Sequence, residues 1–524
     1  MLKDTIKRNK SILIVSVIMS LITVLSTLAI PFMTSKIFGD AIYLNKKNVL
    51  ILLGILVLNY VIQIAFIFLK ENFAIKFNTE HLNSLLHKLF NLQYDKMLKE
   101  GAPSLIERLA TYTNTFYLFL MSDLNTIIAS SLIIVGSLYF IFKQNIIYGF
   151  IMFAMLPITF FGYKALNKKL TKKSMTLSKV TSKNFQDIRN IYGNPDFIKQ
   201  FDSFKGINNM VNQKLKAIYV AHADINKFAG SVSRSLSFIN DFVQNALLIL
   251  LTYDLAMGRV QIGSLVIFTI VTNIYFQAVY SLNGININYV NLKALKTFID
   301  DDIIAFQEKP AEDSIGLSEI NSISFSNPVI KVDDMDFKFD VQAEFKAGDI
   351  VNIDGASGSG KSTLIRSLLG IRDTSGISVN QMPLDDINKS NLRARIAYVP
   401  QNPSIISGSL RENILVDTYK DAGVDAKIRS LEILQPVLES KDLDTEIFQN
   451  GDNLSGGEKQ RVSIARGLLK DADVYIFDEV TSNLDGESQE EFFSSFINQL
   501  DNKIVFIISH DEKVKKFAKT SIKL

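Results

Sequence analysis

The stretch Gly355-Ala356-Ser357-Gly358-Ser359-Gly360-Lys361-Ser362 decides the fold of the second part of this 524-residue chain. It fits the pattern G-x-x-x-x-G-K-[ST] and stands between a strand-like run, Ile350–Ile353, and a helix-like run, Thr363–Leu369. Glycines allow backbone N–H groups to surround phosphate oxygens, and the helix start adds partial positive charge. Lys361 would then reach the β and γ phosphates of a nucleotide, and Ser362 would ligate Mg²⁺. The stretch therefore predicts a phosphate-binding loop, with a chance Gly-rich turn as the alternative.

A second motif, Val474-Tyr475-Ile476-Phe477-Asp478-Glu479, is an apolar run that ends in two acids. This pattern is typical of a buried parallel strand that delivers carboxylates to the edge of a sheet. Asp478 would hold Mg²⁺, and Glu479 would orient or deprotonate the attacking water. A strand that leaves the core often ends in this way for structural reasons alone. Together with the phosphate-binding loop, however, the motif predicts an ATPase that uses ATP and Mg²⁺.

Between these motifs lies a segment that resembles the signature of the ABC ATPase family, which is Leu-Ser-Gly-Gly followed by Gln or Glu. The residues concerned are Leu454, Ser455, Gly456, Gly457 and Glu458. A serine hydroxyl, exposed backbone amides and a helix start suit a second face for phosphate, although a Gly-Gly turn that caps a helix is the alternative. The resemblance implies that this face meets the ATP held by a partner domain.

Three further positions match the family residue by residue. Gln401, in Tyr398-Val399-Pro400-Gln401, resembles the glutamine that links Mg²⁺ and the γ-phosphate to the membrane domain. Asp485 resembles the loop that crosses the dimer interface, and His510 resembles the switch histidine that contacts the γ-phosphate. The resemblance thus implies ATP binding by residues 355–362 and Thr363, catalysis by Glu479, His510 and Gln401, and metal binding by Ser362, Gln401 and Asp478.

Apolar runs dominate the first part of the chain. The protein is 48% hydrophobic with a mean hydropathy of +0.18, and 21% of its residues are charged, which predicts a membrane part joined to a soluble part. Six runs are long and apolar enough to cross about 30 Å of hydrocarbon. They lie near residues 11–32, 49–68, 127–142, 146–163, 240–257 and 264–280. Repeated runs of this length favour membrane helices over helices buried in a soluble core.

The distribution of basic residues predicts the orientation of these helices. The first ten residues and the long loops 69–126 and 164–239 hold 24 Lys and Arg, whereas the short loops 33–48, 143–145 and 258–263 hold 5. By the positive-inside rule, the long loops and both termini lie in the cytoplasm. The first apolar run lacks a small-residue cleavage site, so we expect a retained helix and not a signal peptide.

Composition also excludes several classes of function. A net charge of +3 does not indicate nucleic-acid binding, and the absence of Cys excludes disulfides, thiolate metal sites and cysteine nucleophiles. The six apolar runs exclude a soluble ABC-type ATPase that acts on DNA or ribosomes. Abundant Lys, Asn and Ile suggest a bacterial source.

The order of the parts resembles that of an ABC exporter half-transporter over almost the whole chain. The expected fold is an all-α membrane domain of six helices with long cytoplasmic extensions (1–306), a linker (307–314) and an α/β P-loop ABC ATPase domain (315–524). Helical patterning around the turn signals Gly101-Ala102-Pro103 and Gly193-Asn194-Pro195 predicts the extensions. The alternative is a pair of solvated hairpins that contact no other domain.

The chain also departs from the family pattern. Asn327 stands where an adenine-stacking aromatic residue, usually Tyr, is expected, so the base would be held weakly unless Phe325 or another ring substitutes. The segment Thr445–Gly451, just before the signature, differs from the exporter pattern. Few residues follow His510, so we expect the C-terminal strands and helix of the family to be largely missing.

The resemblance implies a membrane transporter that exports cargo by alternating access as ATP is bound and hydrolysed. A second half-transporter, identical or different, would complete the dimer in the lipid bilayer. Polar side chains in the apolar runs favour a hydrophobic or amphipathic cargo, with a peptide preferred over a lipid or drug, although they equally suit helix-to-helix hydrogen bonds. These side chains are Asn59, Gln63, Gln244, Asn245, Asn273 and Gln277. A receptor that uses ATP only for signalling is the alternative function.

Overall fold

The structure is a computed structural model in which the chain divides into two compact units. It describes residues 10–39, 46–193, 198–200, 205–308, 314–332, 335–356, 358–416, 423–480, 500, 502–509 and 515–524. The first unit comprises Met1–Asn91 and Glu100–Phe306, and the second comprises Leu92–Lys99 and Gln307–Leu524.

Long helices build the first unit. They are α1 (Lys10–Gly39), α2 (Lys46–Phe90), α4 (Ala102–Leu118), α5 (Leu124–Gln144), α6 (Ile146–Tyr192), α7 (Lys205–Ala256) and α8 (Ile262–Phe298). Two π-helical segments, Phe119–Asp123 and Ile299–Ile304, continue α4 and α8. The short helix α3 (Tyr94–Glu100) lies between α2 and α4 in sequence, and its residues up to Lys99 belong to the second unit.

Several of these helices are much longer than a bilayer is thick. At about 1.5 Å per residue, the 47 residues of α6 extend roughly 70 Å. Within the described residues, five helical stretches are long and apolar enough to cross a membrane: Ile14–Met33, Leu53–Phe90, Ala102–Gln144, Lys205–Ala256 and Ile262–Leu282. A shorter apolar helix covers Ile146–Gly162. The number of crossings stays a prediction.

Side chains of α5 to α8 form the core of the helical unit. Phe268, Val271 and Tyr275 of α8 are buried together with Leu247 of α7 and Met152 of α6. The Tyr275 hydroxyl donates to the backbone carbonyl of Met152 at 2.8 Å, so this buried polar group is satisfied. The four helices are therefore joined by one continuous apolar cluster.

The second unit is an α/β domain. Its strands are β1 (Ser322–Val332), β2 (Met335–Lys338), β3 (Gln342–Lys346), β4 (Ile350–Asp354), β5 (Thr374–Val379), β6 (Met382–Pro383), β7 (Ile396–Val399), β8 (Gly408–Ser409), β9 (Glu446–Ile447), β10 (Val474–Asp478), β11 (Ile504–Ile508) and β12 (Thr520–Lys523). Its helices are α9 (Lys361–Ser367), α10 (Lys389–Ala394), α11 (Leu410–Ile414), α12 (Val424–Arg429), α13 (Gln435–Leu438) and α14 (Gly456–Leu469).

A parallel sheet with the order β12-β4-β11-β10-β7 positions the motifs of this unit. Every residue of β10 and β11 is buried, as expected for central strands covered on both faces. The carboxyl ends of parallel strands lie at one edge of a sheet, so the segments after β4, β7 and β10 meet there. Few residues follow His510, but they still include β12, which pairs with β4.

A second sheet is antiparallel, with the order β2-β1-β5-β6 and with β3 paired to β1. Its pairing shifts between Phe325 and Val329, and Asn327 lies in this irregular segment with a φ of 50°. Phe325 and Phe345 from this sheet pack with Phe506 of β11, so one apolar cluster joins the two sheets.

Candidate functional site

The loop between β4 and α9 has the local chemistry of a phosphate-binding site. Gly358 and Gly360 have φ values of 84° and 92°, a backbone conformation that residues with a side chain rarely adopt. Lys361 is buried, and its ammonium group donates to the carbonyls of Gly355 at 2.8 Å and Ala356 at 3.1 Å. The buried Ser359 hydroxyl has no hydrogen-bond partner among the described residues. A buried cation beside an unsatisfied hydroxyl fits the phosphates of ATP.

The acids at the end of β10 lie beside this loop. The Ser362 hydroxyl donates to Asp478 Oδ1 at 3.0 Å. Gln401, which follows β7, donates through Nε2 to Glu479 Oε2 at 2.5 Å. The structure therefore brings together four side chains that the sequence predicted: Ser362, Gln401, Asp478 and Glu479. Hydroxyl, amide and carboxylate oxygens are ligands that Mg²⁺ accepts, so the residues present fit this ion.

Glu479 has an unusual backbone. Its φ is 50°, which is uncommon for a residue with a side chain, and its N–H donates to the Ile508 carbonyl at 2.9 Å. This hydrogen bond to the end of β11 fixes the turn out of β10. A strained residue at the end of a buried strand is frequent at functional sites, because the surrounding structure holds it in place.

Two residues that the sequence reasoning did not assign also contact the buried Asp478. The Tyr398 hydroxyl donates to Asp478 Oδ2 at 2.9 Å, and Arg366 donates through Nε to the Tyr398 hydroxyl at 2.9 Å. Burial raises the pKa of Tyr398, so its phenol keeps the proton that it donates. The sequence contained only weak signals for these two residues. Tyr398 belongs to the quoted Gln401 motif, and Arg366 lies one turn along the helix from Ser362.

The signature segment starts α14, and its first turn is held by its own side chains. The Ser455 hydroxyl accepts from the Glu458 N–H at 3.2 Å, and the Glu458 carboxylate accepts from the Ser455 N–H at 2.7 Å. Lys441 donates to the other carboxylate oxygen at 2.5 Å. Burial opposes ionisation of Glu458, but the bonds from Lys441 and Ser455 outweigh it and lower its pKa. Leu454 is buried beneath the turn, whereas Ser455 and Gly456 are exposed, as a face for another chain requires.

One aromatic side chain that the sequence suggested for adenine stacking is buried in the core. Phe325 is 1% exposed and packs on Phe345 and Phe506, so the suggestion that Phe325 could stack on the base is wrong. Asn327 is exposed, and its N–H donates to the Val341 carbonyl at 2.8 Å. Three other predicted site residues, Ser357, Asp485 and His510, lie outside the described residues, so their roles stay predictions.

A phosphate-binding loop, paired acids at the end of a parallel strand and a unit of long apolar helices define a membrane-bound P-loop ATPase. The chain belongs to the ABC transporter family: the ABC transporter transmembrane region matches residues 13–279, just over half of the chain, and the ABC transporter domain matches residues 339–482. The predicted family and the predicted fold class are therefore confirmed.

Two relatives agree with this assignment, and a solved structure agrees with the fold. A protein of Leuconostoc mesenteroides named Mesentericin-Y105 transport/processing ATP-binding protein MesD is 24% identical over 96% of this chain and 71% of its own length. An ATP-dependent lipid A-core flippase 2 of Colwellia psychrerythraea is 28% identical over 66% of this chain and 60% of its own. The structure of a bacterial Atm1-family ABC exporter with ATP bound has a TM-score of 0.79 at 20% identity, covering 98% of this chain and 93% of that one.

The protein is therefore an ATP-hydrolysing ABC exporter and a multi-pass membrane protein with bacterial relatives. It has the half-transporter architecture, one membrane domain followed by one ATPase domain, which implies dimerisation.

Proposed function

We propose that two copies of this chain close on two ATP molecules and that this closure drives export by alternating access. One protomer would hold each ATP through residues 355–363, and the partner would contact it through its own Ser455–Gly457 face. The observation that carries the proposal is the pairing of Ser362 with Asp478 and of Gln401 with Glu479 at one edge of the parallel sheet. A dimer of this chain with a related chain would form ATP sites of the same geometry. That the two chains are identical is therefore part of the proposal.

The residues divide the chemistry between them. Lys361 would exchange its two backbone carbonyl partners for phosphate oxygens, which bind an ammonium group more strongly because the bond is charge-assisted. Ser362, Gln401 and Asp478 would hold Mg²⁺, which when bound neutralises charge on the phosphates. Glu479 would orient or deprotonate the water that attacks the γ-phosphate, while Gln401 keeps its carboxylate in place.

Exchange of Glu479 for Gln tests the chemistry. The variant should bind ATP as the native protein does, whereas the ATPase rate should fall by about 10²–10⁴-fold, the usual contribution of a general base. The control is Glu432→Gln, which alters a carboxylate in the same unit at a 3₁₀ turn. A Glu479→Gln protein that hydrolyses ATP at the native rate would exclude this role for Glu479.

For the membrane domain we propose that the long loops and both termini are cytoplasmic. The support is the excess of Lys and Arg in those segments. The chain has no native Cys, so single cysteines can report their own exposure. In intact cells, an impermeant thiol reagent should label Gly258→Cys and should leave Lys183→Cys unlabelled until the membrane is opened. Labelling of Lys183→Cys in intact cells would reverse the orientation.

We further propose that the cargo is an amphipathic peptide. One amide pair links α7 and α8: Gln244 donates to the exposed Asn273 at 2.7 Å. Each amide keeps further donors and acceptors, which match the N–H and C=O groups of a peptide backbone. The relative named for transport and processing of mesentericin-Y105 supports a peptide, and the relative named as a lipid A-core flippase supports a lipid.

Uptake into inverted vesicles separates these cargoes and the receptor alternative. Peptides, lipids and drugs would be offered with ATP, and vesicles with the Glu479→Gln protein would give the background. ATP-dependent accumulation of a peptide supports the proposal, and accumulation of a lipid or drug alone replaces the peptide by that class. ATP hydrolysis without accumulation of any class would favour the receptor.

A further inference from the structure

The helix α3 joins the ATPase unit through an arginine that lies just beyond the phosphate-binding helix. Arg372 donates through Nε to Asp95 Oδ1 at 3.0 Å, and its guanidinium carbon lies 5.4 Å from the centre of the Tyr94 ring. Leu92, just before α3, is 2% exposed and forms an antiparallel bridge with Gln307. The segment Leu92–Lys99 is therefore held in this unit by an ion pair, a ring contact and apolar burial.

A second arginine contacts the acids of the site. Arg366 donates to the Tyr398 hydroxyl at 2.9 Å, and its Nη2 lies 3.5 Å from Asp478 Oδ2. Burial alone would lower the pKa of Arg366, but the bond to Tyr398 and the proximity of Asp478 raise it.

Both oxygens of the Asp478 carboxylate are consequently engaged. Oδ1 accepts from Ser362 at 3.0 Å, and Oδ2 accepts from Tyr398 at 2.9 Å. A carboxylate held at both oxygens has a fixed rotamer, and such outer partners typically change metal affinity about 10–100-fold when they are removed. Gln401 contacts the neighbouring acid, Glu479, so the two acids are oriented by different residues.

We propose that Arg366 and Tyr398 are positioning residues that align Asp478 for Mg²⁺. The proposal rests on the proposed role of Asp478 in metal binding. The Arg366 guanidinium holds the Tyr398 hydroxyl, and that hydroxyl holds Asp478 Oδ2. Loss of either contact would free the carboxylate and weaken the metal site. The route is separate from the one through Gln401 and Glu479.

The first test measures metal affinity without turnover. Mn²⁺ would be titrated by electron paramagnetic resonance into the full-length protein loaded with a non-hydrolysable ATP analogue. Tyr398→Phe should weaken Mn²⁺ binding about 10-fold, the lower end for an outer-shell partner, and should leave affinity for the analogue in EDTA unchanged. The matched control is Tyr475→Phe, which removes a hydroxyl bonded to the Lys470 carbonyl at 2.8 Å, at the start of β10. Equal Mn²⁺ affinity in both variants and the native protein would overturn the positioning role.

The second test asks whether Arg366 acts through Tyr398. Arg366→Gln should weaken Mn²⁺ binding in the native background and should have a smaller effect in the Tyr398→Phe background, because coupled residues are not additive. The control Arg372→Gln removes a guanidinium that bonds Asp95 at 3.0 Å and should leave Mn²⁺ binding unchanged. Additive effects of Arg366→Gln and Tyr398→Phe, or no effect of Arg366→Gln, would overturn the connection. Failure of the proposed ATPase function is distinguishable, since the native protein itself would then bind neither Mn²⁺ nor the analogue.

Discussion

Two helices of the ATPase unit begin at motifs that we propose to bind phosphate, and their first turns are capped differently. Among the described residues, no side chain caps the start of α9 at Gly360, so its first N–H groups remain available for an anion. The start of α14 is closed by the reciprocal bonds of Ser455 and Glu458. The N-terminus of α9 is therefore suited to receive phosphate. The N-terminus of α14 is held by its own side chains before a partner binds. Its Ser455 hydroxyl lies at the surface, where it can still donate its proton.

Of these predictions, the largest effect is expected from removal of the Lys361 ammonium. The change takes away the cation at the N-terminus of α9, which we propose receives the phosphates. A charge-assisted hydrogen bond contributes about 1.5–3 kcal/mol, so Lys361→Ala should weaken ATP binding by about 10–100-fold. Direct titration of ATP into the full-length protein measures this. Lys389→Ala is the control, since it removes a half-buried ammonium that bonds the Leu384 carbonyl at 3.0 Å. Native ATP affinity in Lys361→Ala would show that α9 does not receive the phosphates.

Loss of the Ser455 hydroxyl should show that the N-termini of α9 and α14 have different roles. Ser455→Ala should lower the ATPase rate about 10-fold, in line with a lost hydrogen bond to a charged group, without changing the first binding of ATP. It should also cost about 1 kcal/mol of stability as a lost N-cap.

The chain offers a matched control for this exchange. Ser409 and Glu412 form the same capping box at the start of α11. Ser409→Ala should lose similar stability while its ATPase rate stays native. If the two variants lose ATPase activity equally, the effect of Ser455 is structural and the presenting role of α14 is wrong.

A ring placed at position 327 should strengthen the receiving half of the site. Base stacking contributes about 1–3 kcal/mol, so Asn327→Tyr should tighten ATP binding by about 10-fold. The φ of 50° at Asn327 places the gain at the low end of that range. Titration with ATP and with free triphosphate distinguishes a contact to the base from one to the phosphates. Unchanged affinity for ATP would indicate that another ring already stacks on the base.

Phe337 is a candidate for that other ring. It is half-exposed on β2, and it precedes by two residues Phe339, whose ring lies 2.9 Å from where a Cβ on Gly360 would stand. Phe337→Ala should weaken binding of ATP and leave binding of triphosphate unchanged.

The smallest expected effect concerns pH. The pKa of Glu458 is lowered in the folded state, so its ionised form adds stability at neutral pH, and this stability is lost as the pH falls through the folded pKa. Glu458→Gln should therefore be less stable than the native protein at pH 7 and should differ less from it in acid. Chemical denaturation at several pH values measures the difference. A constant difference across pH would show that the carboxylate charge does not stabilise the cap.

The sequence was sufficient to predict the parts of the site that follow from strand order. Lys361, Gln401 and Asp478 each follow a buried apolar run, and parallel strands bring such positions to one edge. Helical periodicity and hydropathy likewise indicated the long apolar helices. These features are local patterns, so a single chain reveals them.

The contacts between distant single residues could not be predicted in this way. Asp95 and Arg372 are 277 positions apart, and neither belongs to a repeating pattern. The burial of Phe325 depends on the rings of Phe345 and Phe506, which come from other strands. The partners of a polar or aromatic side chain are decided by tertiary packing, and periodicity carries no record of them.

The left-handed backbone at Glu479 has a consequence for selection experiments on this protein. Gly or Asn adopts a φ of 50° at lower cost than Glu, so either replacement should make the fold more robust. The same replacement removes the carboxylate that faces Gln401. A screen for heat resistance alone would therefore enrich inactive transporters with changes at this position, and only a screen that also demands ATP turnover would keep the acid.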